Sequence, residues 1–139
     1  MMHFEETAKN LPALFSALLV VILFLQSGLD KVLDWEGNLD WLTGHFSKTF
    51  VRGTVPLMLV TITIQELLTG ALSAAGILYF LAYGSTVVIF AAASLGALTI
   101  IALFFGQRIA KDYAGAAILV PYFILLVALM YLTNPFLRV

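Results

Sequence analysis

Four long apolar stretches constrain this chain more than anything else in it. They run Leu11–Leu33, Thr54–Tyr79, Ser85–Phe105 and Ala116–Thr133. Each reaches the ~20 residues that a helix needs to cross a bilayer. The chain has 139 residues, 62% hydrophobic and 11% charged. Too little polar surface remains to cover that much apolar material in water, so lipid must solvate it. The expected fold is an all-α integral membrane protein. It is a single domain, 1–139, built as a four-transmembrane-helix up-down bundle, because short connections favour antiparallel neighbours.

Composition removes several chemistries. The formal net charge is −1, and no basic patch marks a nucleic-acid surface. The absence of cysteine removes disulfides, thiol redox motifs and thiolate-held metals. His3 and His45 both lie outside the four stretches, so no facing histidine pair offers to hold haem. No metal-spaced cluster, phosphate loop or nucleophile elbow is present. The expectation is therefore no cofactor bound by this chain alone. The N-terminus lacks the basic region and cleavage site of a signal peptide, so the first span is expected to be retained.

The second stretch holds the residue that most needs explaining. Glu66 stands within TITIQELLTGALSAAGILYF, the only acidic residue between Asp40 and Asp112. A carboxyl group in a membrane span costs a few kcal/mol and needs a partner, a proton or a use. At ~1.5 Å per residue it would lie roughly 18 Å along its span, near mid-membrane. If the first two spans end at the same interface, Gln26 would be roughly 10 Å deep and Lys31 only about 3 Å deep. Gln26 is then the expected partner of Glu66. Lys31 reads as an interfacial anchor paired with Asp30 or Asp34, unless it stretches inward. Gln65 is expected to face a neighbouring helix as polar glue. Glu66 itself could be a structural link between helices or a proton-handling group; its pattern fits both.

Small residues mark where helices should approach closely: Gly28 in the first span, Gly70, Ser73 and Gly76 in the second, and Gly96 in the third. Between spans one and two, Trp35, Leu39, Leu42, Phe46 and Phe50 recur at helical spacing. A short amphipathic interfacial helix is expected there, capped by Asn38 and broken at Gly44, with Trp35 and Trp41 at headgroup level. A tight turn is expected at Leu81–Gly84, a charged loop at Gly106–Gly115 with Arg108 paired to Asp112, and a kink at Pro121. Arg138 would anchor the tail. Lys9 and Arg138 fall on one side of the bundle, and Lys31, Lys48, Arg52, Arg108 and Lys111 on the other. The positive-inside rule then puts the loops, not the termini, in the cytoplasm. The expected location is a bacterial inner (cytoplasmic) membrane.

These pieces resemble the DoxX family. GLDK (Gly28–Lys31) closes the first span, GTVP (Gly53–Pro56) opens the second, and ELLTGALSAAG (Glu66–Gly76) lies within it. The family pattern is a Gly-x-x-Lys near the end of span one, then Glu-x-x-x-Gly and a further Gly in span two. The four-span layout is similar too. The resemblance implies a small membrane partner of redox enzymes: an accessory subunit of a larger membrane-bound redox or respiratory complex, with other membrane proteins and lipids as partners. The alternative it implies is a DoxD-like, quinone-reactive subunit of a thiosulfate:quinone type, with Glu66 handling protons and Lys31 holding an anionic substrate or quinone oxygen. A small carrier or channel is a third reading.

Overall fold

In a computed structural model of the chain, residues 2–137 are described and all the regular structure among them is helical. The helices are α1 (Met2–Lys9), α2 (Leu11–Leu33), α3 (Trp35–His45), α4 (Val55–Tyr83), α5 (Val87–Ile109) and α6 (Tyr113–Thr133). A 3-10 turn, Arg52–Thr54, leads into α4. Four of these helices, α2, α4, α5 and α6, are long and apolar enough to cross a membrane. Arg138 lies outside the described residues.

The helix ends differ from expectation in ways that local chemistry explains. Leu81–Tyr83 form the last turn of α4 rather than a separate turn. Tyr79 and Tyr83 lie one turn apart with ring centroids 4.8 Å apart, and Gly84 ends the helix at φ 74°. Glycine takes that left-handed conformation without a Cβ penalty. The charged loop shrinks to residues 110–112, because α5 continues to Ile109 and α6 begins at Tyr113. Asp112 caps α6, accepting from the Gly115 N–H at 2.9 Å. Arg108 does not pair with it; the guanidinium lies over the Tyr113 ring at 4.5 Å. Pro56 and Pro12 both sit in first turns, where no helical donor is lost. α6 runs continuously through Pro121.

A helix lies between spans one and two, shorter than the expected apolar stripe, and none of its residues is buried. Asp34, rather than Asn38, caps α3 by accepting from the Gly37 N–H at 3.3 Å. The helix passes Gly44 and stops at His45. Phe46 then turns inward and is buried, whereas Phe50 lies off the helix and is 83% exposed. α1, a short charged helix before the first span, has no counterpart among the expected elements.

α2 packs on α4, α4 on α5 and α5 on α6, with α6 returning to touch α2. The four meet at Gly96. A Cβ there would lie 2.9 Å from Leu126, 3.1 Å from Thr69 and 3.4 Å from Phe24, one neighbour from each other helix. Around this point the buried core gathers Val20 and Phe24, Phe80, Ile89 and Ala93, Leu126 and Leu129. Buried hydroxyls are satisfied locally: Thr63, Thr69, Thr99 and Thr133 each donate to the carbonyl four residues back. Two hydroxyls cross between helices. Ser73 donates to the Ala17 carbonyl at 2.8 Å, and Thr86 to the Thr133 carbonyl at 2.9 Å.

Candidate functional site

The register of α2 against α4 decides where Glu66 lies. A Cβ at Gly28 would meet Leu67 at 2.7 Å, and one at Gly70 would meet Leu25 at 2.7 Å and its backbone nitrogen at 2.9 Å. Residues 25–28 of α2 therefore lie level with residues 67–70 of α4, running antiparallel. Extended to the end of α2, this places Leu33 level with about residue 62. The start of α4, Val55, thus stands about seven residues, or about 10 Å, beyond the end of α2. At 29 residues, α4 is roughly 44 Å long, more than a ~30 Å hydrocarbon core requires.

This offset overturns the expected partner. Glu66 lies level with residues 29–31, within reach of Lys31. The Lys31 Nζ lies 2.9 Å from Glu66 Oε1 and donates to Oε2 at 3.3 Å. The shorter contact lies off the hydrogen-bonding direction, so Oε1 gains the charge contact without a directed bond. The ammonium also donates to Ser27 Oγ at 3.0 Å and to the Ser27 carbonyl at 3.4 Å. The Glu66 side chain is 1% exposed and that of Lys31 17%. Gln26 is exposed on the outer side of α2 and makes no contact with Glu66. Lys31 is not the Asp30- or Asp34-paired anchor either, since its three donors are used inside the bundle. Counting depth from a shared interface produced both errors; the two helices do not start level.

Ion pairs sealed in this way are held by packing as much as by charge. Two small residues flank the pair, Gly28 on α2 and Gly70 on α4, and Ser73 adds its bond to Ala17 lower on the same seam. Gly76 serves a different seam: a Cβ there would meet the Ile89 backbone nitrogen of α5 at 2.8 Å. Gly96 sits at the four-helix meeting point described above.

Gln65, next to Glu66, faces the other way. It lines a cavity of about 470 Å³ between the protruding half of α4 and the last turns of α5, under α3. The cavity is mostly apolar, with Met58, Ile62 and Leu103 in its walls and His45, Gln107 and Gln65 as polar points. His45 Nε2 is 2.7 Å from Gln107 Oε1 and 3.7 Å from Asp112 Oδ2, and its ring stacks on Trp41 at 4.4 Å. His45 thus belongs to a polar cluster that ties α3 to the α5–α6 connection. Nothing local in sequence points to it, because His45 and Gln107 are 62 residues apart. Neither Glu66 nor Lys31 lines this cavity or the smaller apolar one between α5 and α6. Among the described residues, no three His, Cys, Asp or Glu side chains gather to hold a metal.

No family model matches the chain, and no curated protein or solved structure does either.

Proposed function

We propose that this chain is a DoxX-like accessory or structural subunit of a larger membrane-bound redox or respiratory complex in a bacterial inner membrane. The observation that carries this reading is the Lys31–Glu66 pair. Its charges neutralise each other inside the α2–α4 seam, and every donor of the ammonium is engaged. A group with that environment joins helices. A proton handler or anion holder needs an open side toward its substrate, which favours the accessory reading over the quinone-reactive one built on these two residues.

In this reading α3 lies at the membrane surface with Trp35 and Trp41 at headgroup level. α6 is the least buried span, 17% of its apolar window, and offers Ile118, Ile124 and Tyr131 to lipid or to a neighbouring subunit. The test is purification of the tagged chain from its native membrane in mild detergent, with mass spectrometry of what travels with it. Stoichiometric redox or respiratory subunits are expected. A homogeneous homo-oligomer with no other protein would overturn the proposal.

A further inference from the structure

The cleft between α4 and α5 is apolar along its length and basic at its loop end. It exists because the two helices splay. At the far end of the bundle they pack closely, where a Cβ on Gly76 would meet the Ile89 backbone nitrogen at 2.8 Å. At the α3 end Gly106 has only the tip of Phe46 near it, at 3.5 Å. The lining runs out to Leu57, Thr61, Ala102 and Phe105, which are exposed on the outer surfaces of the two spans. The cleft therefore opens sideways, toward the hydrocarbon around the spans. No Lys, Arg, Asp or Glu lines it. What enters must be apolar, because a charge there would have no counter-charge.

The loop end has the opposite character. Val51 and Thr54 line the cleft just before α4, and Gln107 and Ile109 line it at the end of α5. Arg52 stands between the first two in sequence and Arg108 between the second two, with Lys48 and Lys111 close by in the same segments. All four cations are exposed, and among the described residues none has an ion-pair partner. Asp112 is the one carboxylate in segments 46–54 and 106–112. It is already engaged, capping α6 and lying 3.7 Å from His45. Glu36 and Asp40 belong to α3, whose Trp41, Leu42 and His45 line the cleft. At about 100° per residue, the two acids fall on the far side of that helix.

We propose that the cleft binds one acyl chain of an anionic phospholipid, with the phosphate held at the loop end by Arg52 and Arg108. A volume of about 470 Å³ is that of one small-molecule site, so a single chain enters and the rest of the lipid stays in the bilayer. A guanidinium fork matches the phosphate oxygens. Basic residues beside a membrane attract anionic lipid in general; the cleft adds a slot that retains one molecule. The site uses neither Glu66 nor Lys31 and is independent of the accessory-subunit reading.

The chain has two tryptophans, Trp35 and Trp41, and only Trp41 lines the cleft. Trp35→Phe therefore leaves a reporter in the wall, and Trp41→Phe leaves one outside it. The probe is phosphatidylglycerol brominated in its acyl chain near the ester, titrated into the purified full chain in detergent. Bromine quenches indole on contact. Saturable quenching is expected in Trp35→Phe, and only linear, partition-type quenching in Trp41→Phe. In the Trp35→Phe background, Arg52→Gln should weaken binding about fivefold, the worth of one cation at a membrane surface, and Arg52→Lys should restore most of it. Neither change should alter the weaker binding of brominated phosphatidylcholine. Gly106→Leu should abolish saturation, because its Cβ meets only ordinary contact while the side chain fills the cleft. Unchanged thermal unfolding would show that it still folds, and Ala102→Phe, on the exposed rim, is a second block with the same expected result. Linear quenching at both tryptophans, or saturable binding by either folded blocking variant, would overturn the site. Equal binding of the two lipids would overturn the anionic head. Displacement by inorganic phosphate at the lipid's own concentration would overturn the acyl chain as the anchor.

Discussion

The two faces of the protruding α4 helix treat polarity in opposite ways. Toward α2, Glu66 is closed in by Lys31, with Gly28 and Gly70 drawing the helices together around it. Toward α5, one residue earlier, Gln65 lines an open cavity, and its buried side-chain oxygen has no hydrogen-bond partner among the described residues. Adjacent residues thus look into a sealed seam and an open cleft. Full charges are placed where packing closes, because an uncompensated ion in an apolar interior is costly. Neutral hydrogen-bonding groups are left where it opens, because they can wait for a partner at a smaller cost. A latch and an open face can share a helix when their polar groups differ in this way.

The largest effect expected from breaking this contrast is at the pair itself. Lys31→Met or Glu66→Leu alone leaves one buried charge unmatched and should cost about 3–5 kcal/mol, read as unfolding in mixed micelles. Next come the glycines. Gly70→Leu must push against the Leu25 backbone, and overpacking of that kind should cost about 1–3 kcal/mol. Gly106→Leu on the open face should leave stability nearly unchanged. Equal losses at the two glycines would erase the distinction between seam and cleft. Ser73→Ala removes one interhelical hydrogen bond and should cost about 0.6 kcal/mol in the same assay. Gln26→Leu, on the outer side of α2, should change stability least of all; a loss as large as that of Lys31→Met would restore Gln26 as the partner of Glu66.

Much of this architecture is legible in the residues. Spans of apolar sequence bounded by Pro12, Pro56, Gly84 and Asp112 announce four helices, since the length and solvation of such segments leave few alternatives. The isolated Glu66 announces a polar contact. What sequence does not carry is the offset between helices. Two spans joined by a 21-residue connection, from 34 to 54, need not begin level, and α4 starts about 10 Å further out than α2 ends. That shift exchanges Gln26 for Lys31 as the partner and also opens the cleft that α3 roofs. His45 and Gln107 are equally silent in sequence, because their meeting depends on the same shift and on where α3 stops.

The most direct test of the latch is a double-mutant cycle across Lys31→Met and Glu66→Leu, measured by unfolding in mixed micelles. The structure predicts that the double variant recovers most of the loss of either single change, with a coupling of about 2 kcal/mol or more. Additive losses, with no coupling, would mean that the two side chains do not hold α2 against α4.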